Sequence, residues 1–182
     1  ESFRKHNKPT LFDNLWNLTR YFLYKQFSLN NFFEFGSYLY RYKKNIYLGK
    51  NIYFKRNSIV GCANPNSIIE IGENTTIGNN SIIISSEKIS IGRDCMIAPN
   101  AHFVDSDHGI SEGEKFSDQN NVTGAIYIGD NVWIGSRAVI LKGVSIGDNS
   151  VISAGSIVAK SFPNNVIIAG APARIIKFIK DA

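Results

Sequence analysis

The sequence has 182 residues, of which 43% are hydrophobic and 19% are charged, so it predicts a folded domain and excludes a disordered chain. It contains no apolar run of eighteen residues, and we therefore expect no membrane-spanning helix. The two cysteines, Cys62 and Cys95, lie far apart without metal-like spacing, and no signal peptide is visible. These features predict packed thiols, no metal site and a cytoplasmic location.

The net charge of +5 is concentrated near the N-terminus. Residues 1–56 carry a net charge of +8 and the remainder carries −3. This distribution predicts that the N-terminal part contacts an anionic surface, either lipid headgroups or a charged glycan. The alternative is a solvated basic face without a partner. No reading motif supports a nucleic-acid partner, and we expect none.

The N-terminal segment, residues 1–45, differs in pattern from the rest of the chain. Between residues 10 and 40, hydrophobic residues roughly follow helical spacing, and these are Leu11, Phe12, Leu15, Trp16, Leu18, Phe22 and Leu23. One or two amphipathic helices are therefore predicted. They either cap the open end of the following fold or lie on the inner membrane surface as a peripheral contact, since Arg20, Lys25 and many aromatics accompany them.

A six-residue repeat dominates the chain from residue 46. An aliphatic or aromatic anchor recurs in four blocks, at Leu48, Phe54, Val60; Ile71, Ile77, Ile83; Ile91, Ile97, Phe103; and Ile128, Ile134, Ile140, Ile146, Ile152, Val158. Glycine often follows the anchor directly, and a small residue usually stands four places after it. A period of six fits neither an α-helix nor an amphipathic strand, but it fits a chain that repeatedly runs a short strand and turns a corner.

The repeat predicts an all-β solenoid, a parallel β-helix with three strands per coil, over residues 46–163. Anchors should point inward and stack on anchors one coil away, small residues should fit the corners, and glycines should permit the turns. Four related tetrapeptides mark coil starts at Ile69-Glu-Ile-Gly72, Ile89-Ser-Ile-Gly92, Ile126-Tyr-Ile-Gly129 and Val144-Ser-Ile-Gly147. About five coils are predicted, starting near residues 48, 71, 91, 128 and 146.

Two segments interrupt or follow the repeat. Residues 109–125 form a polar loop between the third and fourth coils, and long loops in compact folds are usually functional. The repeat ends at Phe162-Pro163, and residues 164–182 form a C-terminal extension. A short helix is predicted there over residues 174–180.

The second half of the chain resembles the hexapeptide-repeat acetyltransferases. The resemblance is carried by Ile128-Gly-Asp-Asn-Val-Trp-Ile-Gly-Ser136, Gly143-Val-Ser-Ile-Gly-Asp-Asn149, Ala154-Gly-Ser156, Lys160 and Ala169-Gly-Ala-Pro-Ala-Arg174. By motif it is most similar to galactoside and maltose acetyltransferases and to O-acetyltransferases of bacterial surface polysaccharides. It covers residues 46 to about 180. The absence of the maltose enzymes' N-terminal pattern before residue 46 favours the polysaccharide branch.

The resemblance implies a left-handed β-helix, a homotrimer with each active site between two subunits, and an enzyme that transfers acetyl from acetyl-CoA to a sugar hydroxyl. The carbohydrate acceptor would belong to capsule, O-antigen or exopolysaccharide biosynthesis. Which sugar and which hydroxyl are modified stays open, and so does a longer acyl group such as succinyl.

His108 is the candidate general base. A neutral alcohol attacks a thioester poorly without a base, and imidazole titrates near neutral pH. The family's catalytic histidine falls at His108 when Ile97-Ala-Pro-Asn100 is matched. Asp105 or Asp107 is predicted to orient the ring, as a carboxylate does in a catalytic triad. We interpret His102 as an outward-facing residue without a catalytic role.

The resemblance also implies a cofactor groove beside the fourth and fifth coils. The matching positions are Trp133, Ser136, Ala154, Ala159, Lys160, Arg174 and Lys177. The three basic residues suit the phosphates of acetyl-CoA. On the acceptor side, Ser86 stands where galactoside enzymes carry a carboxylate, with Glu87 beside it, which argues against a simple galactoside acceptor.

Three other functions remain open at this point. An N-acetyltransferase acting on an amino-sugar nucleotide would use similar base chemistry. A zinc hydratase of the γ-carbonic anhydrase kind needs three histidines, whereas the repeats contain only His102 and His108. A non-catalytic scaffold would leave the cofactor-like C-terminal motif unexplained.

Overall fold

The computed structural model describes residues 11, 15 and 30–179. Within these residues the backbone forms an all-β solenoid of about six turns, in which nearly all neighbouring strands are parallel. The described residues include no helix that is both long and apolar enough to cross a bilayer.

Three ladders of hydrogen-bonded strands form the sides of the solenoid. The first contains β1 (Phe32–Phe33), β4 (Tyr53–Phe54), β7 (Thr76–Ile77), β10 (Met96–Ile97), β15 (Trp133–Ile134), β18 (Val151–Ile152), β20 (Val166–Gly170) and β21 (Ala173–Phe178). The second contains β2 (Tyr38–Tyr40), β5 (Ile59–Cys62), β8 (Ile82–Ser85), β11 (His102–Val104), β16 (Val139–Ile140) and β19 (Ile157–Val158). The third contains β3 (Ile46–Leu48), β6 (Ile68–Ile71), β9 (Lys88–Ile91), β14 (Ile126–Ile128) and β17 (Ser145–Ile146).

Each turn takes one strand from each ladder. Turn one comprises β1–β3, turn two β4–β6 and turn three β7–β9; turn four comprises β10, β11 and β14, and turn five β15–β17. Turn six comprises β18 and β19 and closes where Phe162 bridges to Ile146. Outside the ladders, β12 (Ser106–His108) and β13 (Asn121–Thr123) pair antiparallel, and two 3-10 helices span Lys43–Asn45 and Phe116–Asp118.

The predicted inward stacking of the anchors is confirmed. In the first ladder, Ile77, Ile97 and Ile134 are direct partners on successive turns. Leu48 is partly buried, and every other anchor is at most 4% exposed. The small residues four places later are all buried, and they are Ser58, Thr75, Ser81, Cys95, Ala101, Val132, Ala138, Val144, Ser150 and Ser156. The narrow interior therefore selects residue size at the corners, as the repeat indicated.

The solenoid starts earlier than the repeat predicted. Strands β1 and β2 occupy residues for which a helical pattern was expected, so that expectation is wrong over residues 30–40. The reason is that Phe33 and Leu39 are themselves buried and six residues apart, and the Phe33 ring stacks on Phe54 at 4.3 Å between centroids. They add a sixth turn to the five predicted. Most of the predicted N-terminal helical cap lies outside the described residues. Leu11 and Leu15, which are described, are helical.

The predicted C-terminal helix is also wrong. Residues Ala173–Phe178 form β21, which pairs antiparallel with β20 at the end of the first ladder. The chain reverses at Gly170, whose φ of +104° favours glycine, and at Pro172. A returning strand satisfies the open edge of β20, which a helix would leave unpaired.

Asparagine or aspartate occupies the left-handed backbone region at most corners, three places after an anchor. These residues are Asn51, Asn57, Asn74, Asn80, Asp94, Asn100, Asn131 and Asn149. The amide of Asn51 donates to Asn74 Oδ1 at 3.1 Å, and the amide of Asn74 donates to Asp94 Oδ1 at 3.0 Å. Asparagine tolerates this conformation better than most residues. Within each block of the repeat, these asparagines and aspartates recur at multiples of six residues, which is a second sequence signal of the corners.

The glycines that follow the anchors have a different role from the one expected. Gly72 does not have a positive φ. A Cβ on Gly72 would lie 2.5 Å from the Arg93 nitrogen and 2.5 Å from the Gly92 carbonyl carbon on the next turn. Glycine is required here because the turns approach closely, and not because the backbone bends.

We expect Gly72→Ala to lower the free energy of unfolding by ~1–3 kcal/mol, because the added methyl group forces two turns apart. Chemical denaturation followed by circular dichroism measures the change. Glu73→Ala, at the exposed next position, serves as the control and should change stability by less than ~0.5 kcal/mol. Equal stability of Gly72→Ala and the parent protein would contradict this explanation.

Candidate functional site

The candidate catalytic and acceptor residues, together with Ala159 and Lys160, lie along one edge of the solenoid. We call this the 2–3 edge, meaning the corners at which the chain passes from the second ladder to the third. In turn three this corner contains Ser86 and Glu87, in turn four the segment from Asp105 to Ala125, in turn five Lys142, and in turn six Ala159 and Lys160. Residues from four successive turns therefore lie along one line, although they are separated by up to 74 positions in the sequence.

His108 ends β12, on a hairpin that projects from the 2–3 edge of turn four. Strand β12 pairs with β13 so that His108 lies opposite Asn121. The imidazole is exposed, and neither ring nitrogen has a hydrogen-bond partner within residues 30–179. The ring is thus accessible to accept a proton from a bound hydroxyl.

Asp105 is fully buried and serves the neighbouring turn. Its carboxylate accepts hydrogen bonds from the Ser86 N–H at 2.6 Å, the Ser85 hydroxyl at 2.8 Å and the Glu87 N–H at 2.9 Å. Its carbonyl oxygen accepts the N–H of Gly124 at 2.9 Å. Asp105 therefore fastens the corner at residues 85–87 to the base of the hairpin that carries His108.

Asp107 has another partner as well. Its carboxylate lies 3.5 Å from the Lys142 ammonium group on the next turn. Side chains alternate along a strand, so Asp107 and His108 project to opposite faces of β12. Within the described part of the chain, neither aspartate forms a hydrogen bond to the imidazole, and the expected orienting contact is not present in this conformation.

Ser86 and His108 are linked along one face. The hydroxyls of Ser86 and Ser106 lie 3.0 Å apart, and Ser106 shares a face of β12 with His108 by strand alternation. The Glu87 side chain is exposed beside them. Ser86 thus contacts the strand that carries the candidate base, and the sequence did not indicate that Ser106 makes this contact.

Trp133 lies on the outer face of the first ladder, half exposed, with Met96 and Val151 as strand partners. Met96 is 47% and Trp133 is 50% exposed, so together they form an apolar strip. Met96 was not identified from the sequence, because a single methionine outside the anchor positions carries no pattern.

Lys160 and Arg174 line one open groove, together with Ser161, Phe162 and Ile175. Its volume is about 340 Å³, and the Lys160 ammonium group lies 5.6 Å from the centre of the Phe162 ring. Lys177 instead lines a second groove with Ile167, Phe178 and Ile179. The structure therefore brings two of the three predicted phosphate-binding cations together and places the third apart.

The smaller predicted cofactor contacts are accessible. Ala154 and Ala159 are exposed and Ser136 is partly buried. Ser136 and Ala154 occupy the same corner on successive turns, where the Ser136 carbonyl accepts the Gly155 N–H at 2.8 Å. Short side chains at these corners leave the backbone open to a ligand.

Both cysteines are buried free thiols, as predicted. Burial raises the pKa of the Cys95 thiol to about 11 and also raises the pKa of Cys62. Both thiols are therefore protonated near neutral pH and are poor nucleophiles. Among the described residues, no group of three His, Cys, Asp or Glu side chains is placed to hold a metal ion.

Residues 68–101 and 125–160 match a family model described as the hexapeptide repeat of succinyl-transferase. This match identifies the fold as an all-β solenoid of the left-handed hexapeptide type. Over 120 residues the chain is 44% identical to galactoside O-acetyltransferase from Escherichia coli K12, covering 63% of this chain and 56% of that protein.

Two further similarities extend this result. The putative lipopolysaccharide biosynthesis O-acetyl transferase WbbJ of Escherichia coli K12 is 34% identical over 118 residues, covering 60% of each chain. The chain spans 56–60% of the length of these two curated relatives. A crystal structure of a maltose O-acetyltransferase from Clostridium difficile 630 is 32% identical, with a TM-score of 0.62, covering 98% of this chain and 83% of that one.

The two aspartates offer a matched test of the site. We expect Asp105→Asn to destabilise the fold by ~1–3 kcal/mol, because an amide cannot accept all three hydrogen bonds and one buried donor loses its partner. Asp107→Asn should cost less than ~1 kcal/mol, since it weakens only an exposed ion pair. Urea denaturation measures both, and equal losses would contradict the structural assignment of Asp105.

Proposed function

Because the chain belongs to the hexapeptide-repeat acetyltransferase family, we propose that it transfers an acetyl group from acetyl-CoA to a sugar hydroxyl. The observation that carries this proposal is the 2–3 edge, on which the accessible imidazole of His108 lies in line with a groove containing two cations.

His108 acts as the general base. It removes the proton from the sugar hydroxyl as the oxygen attacks the thioester carbonyl carbon. The carbon–sulfur bond then breaks, CoA leaves as a thiol after taking up that proton, and the acetyl ester is formed. A backbone N–H near the thioester stabilises the oxyanion. The transfer is direct, and neither thiol serves as a nucleophile, because burial raises the pKa of both Cys62 and Cys95.

The donor occupies the groove at turn six. Lys160 and Arg174 supply positive charge for its phosphates, and guanidinium groups match phosphate geometry well. Lys160 belongs to turn six and His108 to turn four. Two turns correspond to roughly 10 Å along the solenoid at the ordinary strand spacing. The extended arm of CoA spans such a distance, and the exposed Ala159 leaves its path open.

The acceptor is a sugar of a bacterial surface polysaccharide or its precursor. Ser86, joined to Ser106, provides hydroxyl groups beside His108 rather than a carboxylate. The relative in lipopolysaccharide biosynthesis supports this class of acceptor. The protein acts as a homotrimer, in which a neighbouring subunit covers the exposed strip of Met96 and Trp133 and completes the site.

Replacing the base tests the mechanism. We expect His108→Ala to lower the rate of CoA release by ~10²–10⁴-fold, the usual contribution of general base catalysis. The measurement uses a panel of saccharides, with an amino-sugar nucleotide to detect N-acetyl transfer. His102→Ala is the matched control, because His102 is exposed on β11 of the same turn and should retain the parent rate. Equal rates for both variants would eliminate His108 as the base.

The basic groove makes a separate prediction about the donor. Arg174→Gln and Lys160→Gln should each raise the KM for acetyl-CoA about tenfold, because each removes a charge-assisted hydrogen bond. The KM for the acceptor should stay the same. Lys177→Gln should have a smaller effect, since Lys177 lies in the other groove. Unchanged donor KM values in both groove variants, measured by steady-state kinetics, would place the donor elsewhere.

A further inference from the structure

The 2–3 edge continues beyond the proposed active site to the first turn. There it contains a corner that no role in acetyl transfer explains. We call it the first-turn corner and define it as Tyr38, Tyr40, Arg41, Tyr42, Lys44 and Tyr47. It spans the end of β2, the first 3-10 helix and the start of β3.

Positive charge predominates in the first two turns, although Glu34 lies 3.8 Å from Arg56 and Glu70 is the strand partner of Tyr47. Residues 35–69 contain no aspartate or glutamate, whereas they carry six cations, which are Arg41, Lys43, Lys44, Lys50, Lys55 and Arg56. By contrast, residues 57–179 carry a net charge of −3. Three of these cations, Arg41, Lys43 and Lys44, lie at or next to the first-turn corner, and several cations side by side fit an extended anionic surface better than a single small anion.

The corner also exposes amphipathic rings. The exposed fractions of Tyr38, Tyr40, Tyr42 and Tyr47 are 40%, 38%, 39% and 57%. The Arg41 guanidinium lies 5.1 Å from the centre of the Tyr40 ring. Tyrosines beside cations are typical of protein surfaces at the headgroup level of a bilayer, where the ring enters the apolar boundary and the hydroxyl stays hydrated.

We propose that the first-turn corner binds the surface of an anionic phospholipid bilayer. The rings and charges of the corner are all exposed, as contact with a bilayer surface requires. This proposal rests on the first turn alone and does not depend on the acetyl-transfer activity.

The position of the corner gives the contact a functional meaning. The first-turn corner belongs to turn one and His108 to turn four of the same edge. Three turns correspond to roughly 14 Å along the solenoid at the ordinary strand spacing. A molecule docked by this corner holds His108 above the headgroups. A saccharide attached to a lipid carrier would then reach the base without leaving the membrane.

Co-sedimentation of the full chain with vesicles tests the proposal. We expect binding to phosphatidylcholine mixed with phosphatidylglycerol, weakening as salt is added, and little binding to phosphatidylcholine alone. The double variant Arg41→Gln/Lys44→Gln should bind about 25-fold more weakly, since each cation near an anionic surface contributes about fivefold. Lys115→Gln/Arg137→Gln removes two exposed cations elsewhere and should bind like the parent.

Tyr127, on the same ladder as Tyr47, provides a control for the role of the tyrosines in vesicle binding. Tyr47 and Tyr127 lie on one outward row, connected through Glu70 and Ser90, and both are exposed. Tyr42→Ser/Tyr47→Ser should weaken vesicle binding, whereas Tyr127→Ser should not. The proposal is overturned if the parent does not bind anionic vesicles, if it binds only a soluble anionic polysaccharide, or if the control variants lose binding equally. Circular dichroism of each variant verifies its folding.

Discussion

The spacing between successive turns is the constraint on which this protein depends. Backbone N–H groups of one turn donate to carbonyl groups of the next, as in the bonds from Gly72 to Ile91 and from Gly92 to Ile128, both 2.8 Å long. The short distance between turns leaves no room for a Cβ at the glycines that follow the anchors, and it makes the inward side chains stack in register. Stacked anchors then fill the narrow interior, and every outward residue falls on a row that runs along the solenoid.

Those rows explain how distant segments form one site. The 2–3 edge collects one corner from each turn, so Ser86, His108, Lys142 and Lys160 fall on one line through four successive turns. Asp105 shows how adjacent turns are fastened at this edge, because a buried carboxylate holds three donors of the neighbouring corner. Its burial is compensated by those hydrogen bonds, as a buried charge requires.

Much of the fold was predictable because the anchors recur at a fixed period. The sequence indicated the solenoid, the interior of five turns and the corner positions of the small residues. It did not indicate the first turn, since Phe33 and Leu39 stand among other aromatics that hide their spacing. It also did not assign partners to Asp105 and Asp107, because the period states which side chains point inward but not which polar groups meet at a corner. His108, Lys160 and Arg174 were found by resemblance, and it became visible only in three dimensions that His108 and Lys160 share an edge and that Arg174 lines the same groove as Lys160.

The linear stacking of turns also distributes rigidity unevenly. Each turn contacts only its neighbours, so the middle turns are held from both sides while the terminal ones open first. His108 is attached to turn four, whereas the groove of Lys160 and Arg174 is built from turn six and the returning strand β21. The molecule thus combines a stiff centre, where the reacting atoms would meet, with a pliable end. Amide protons of that end should exchange faster than those of turns three and four.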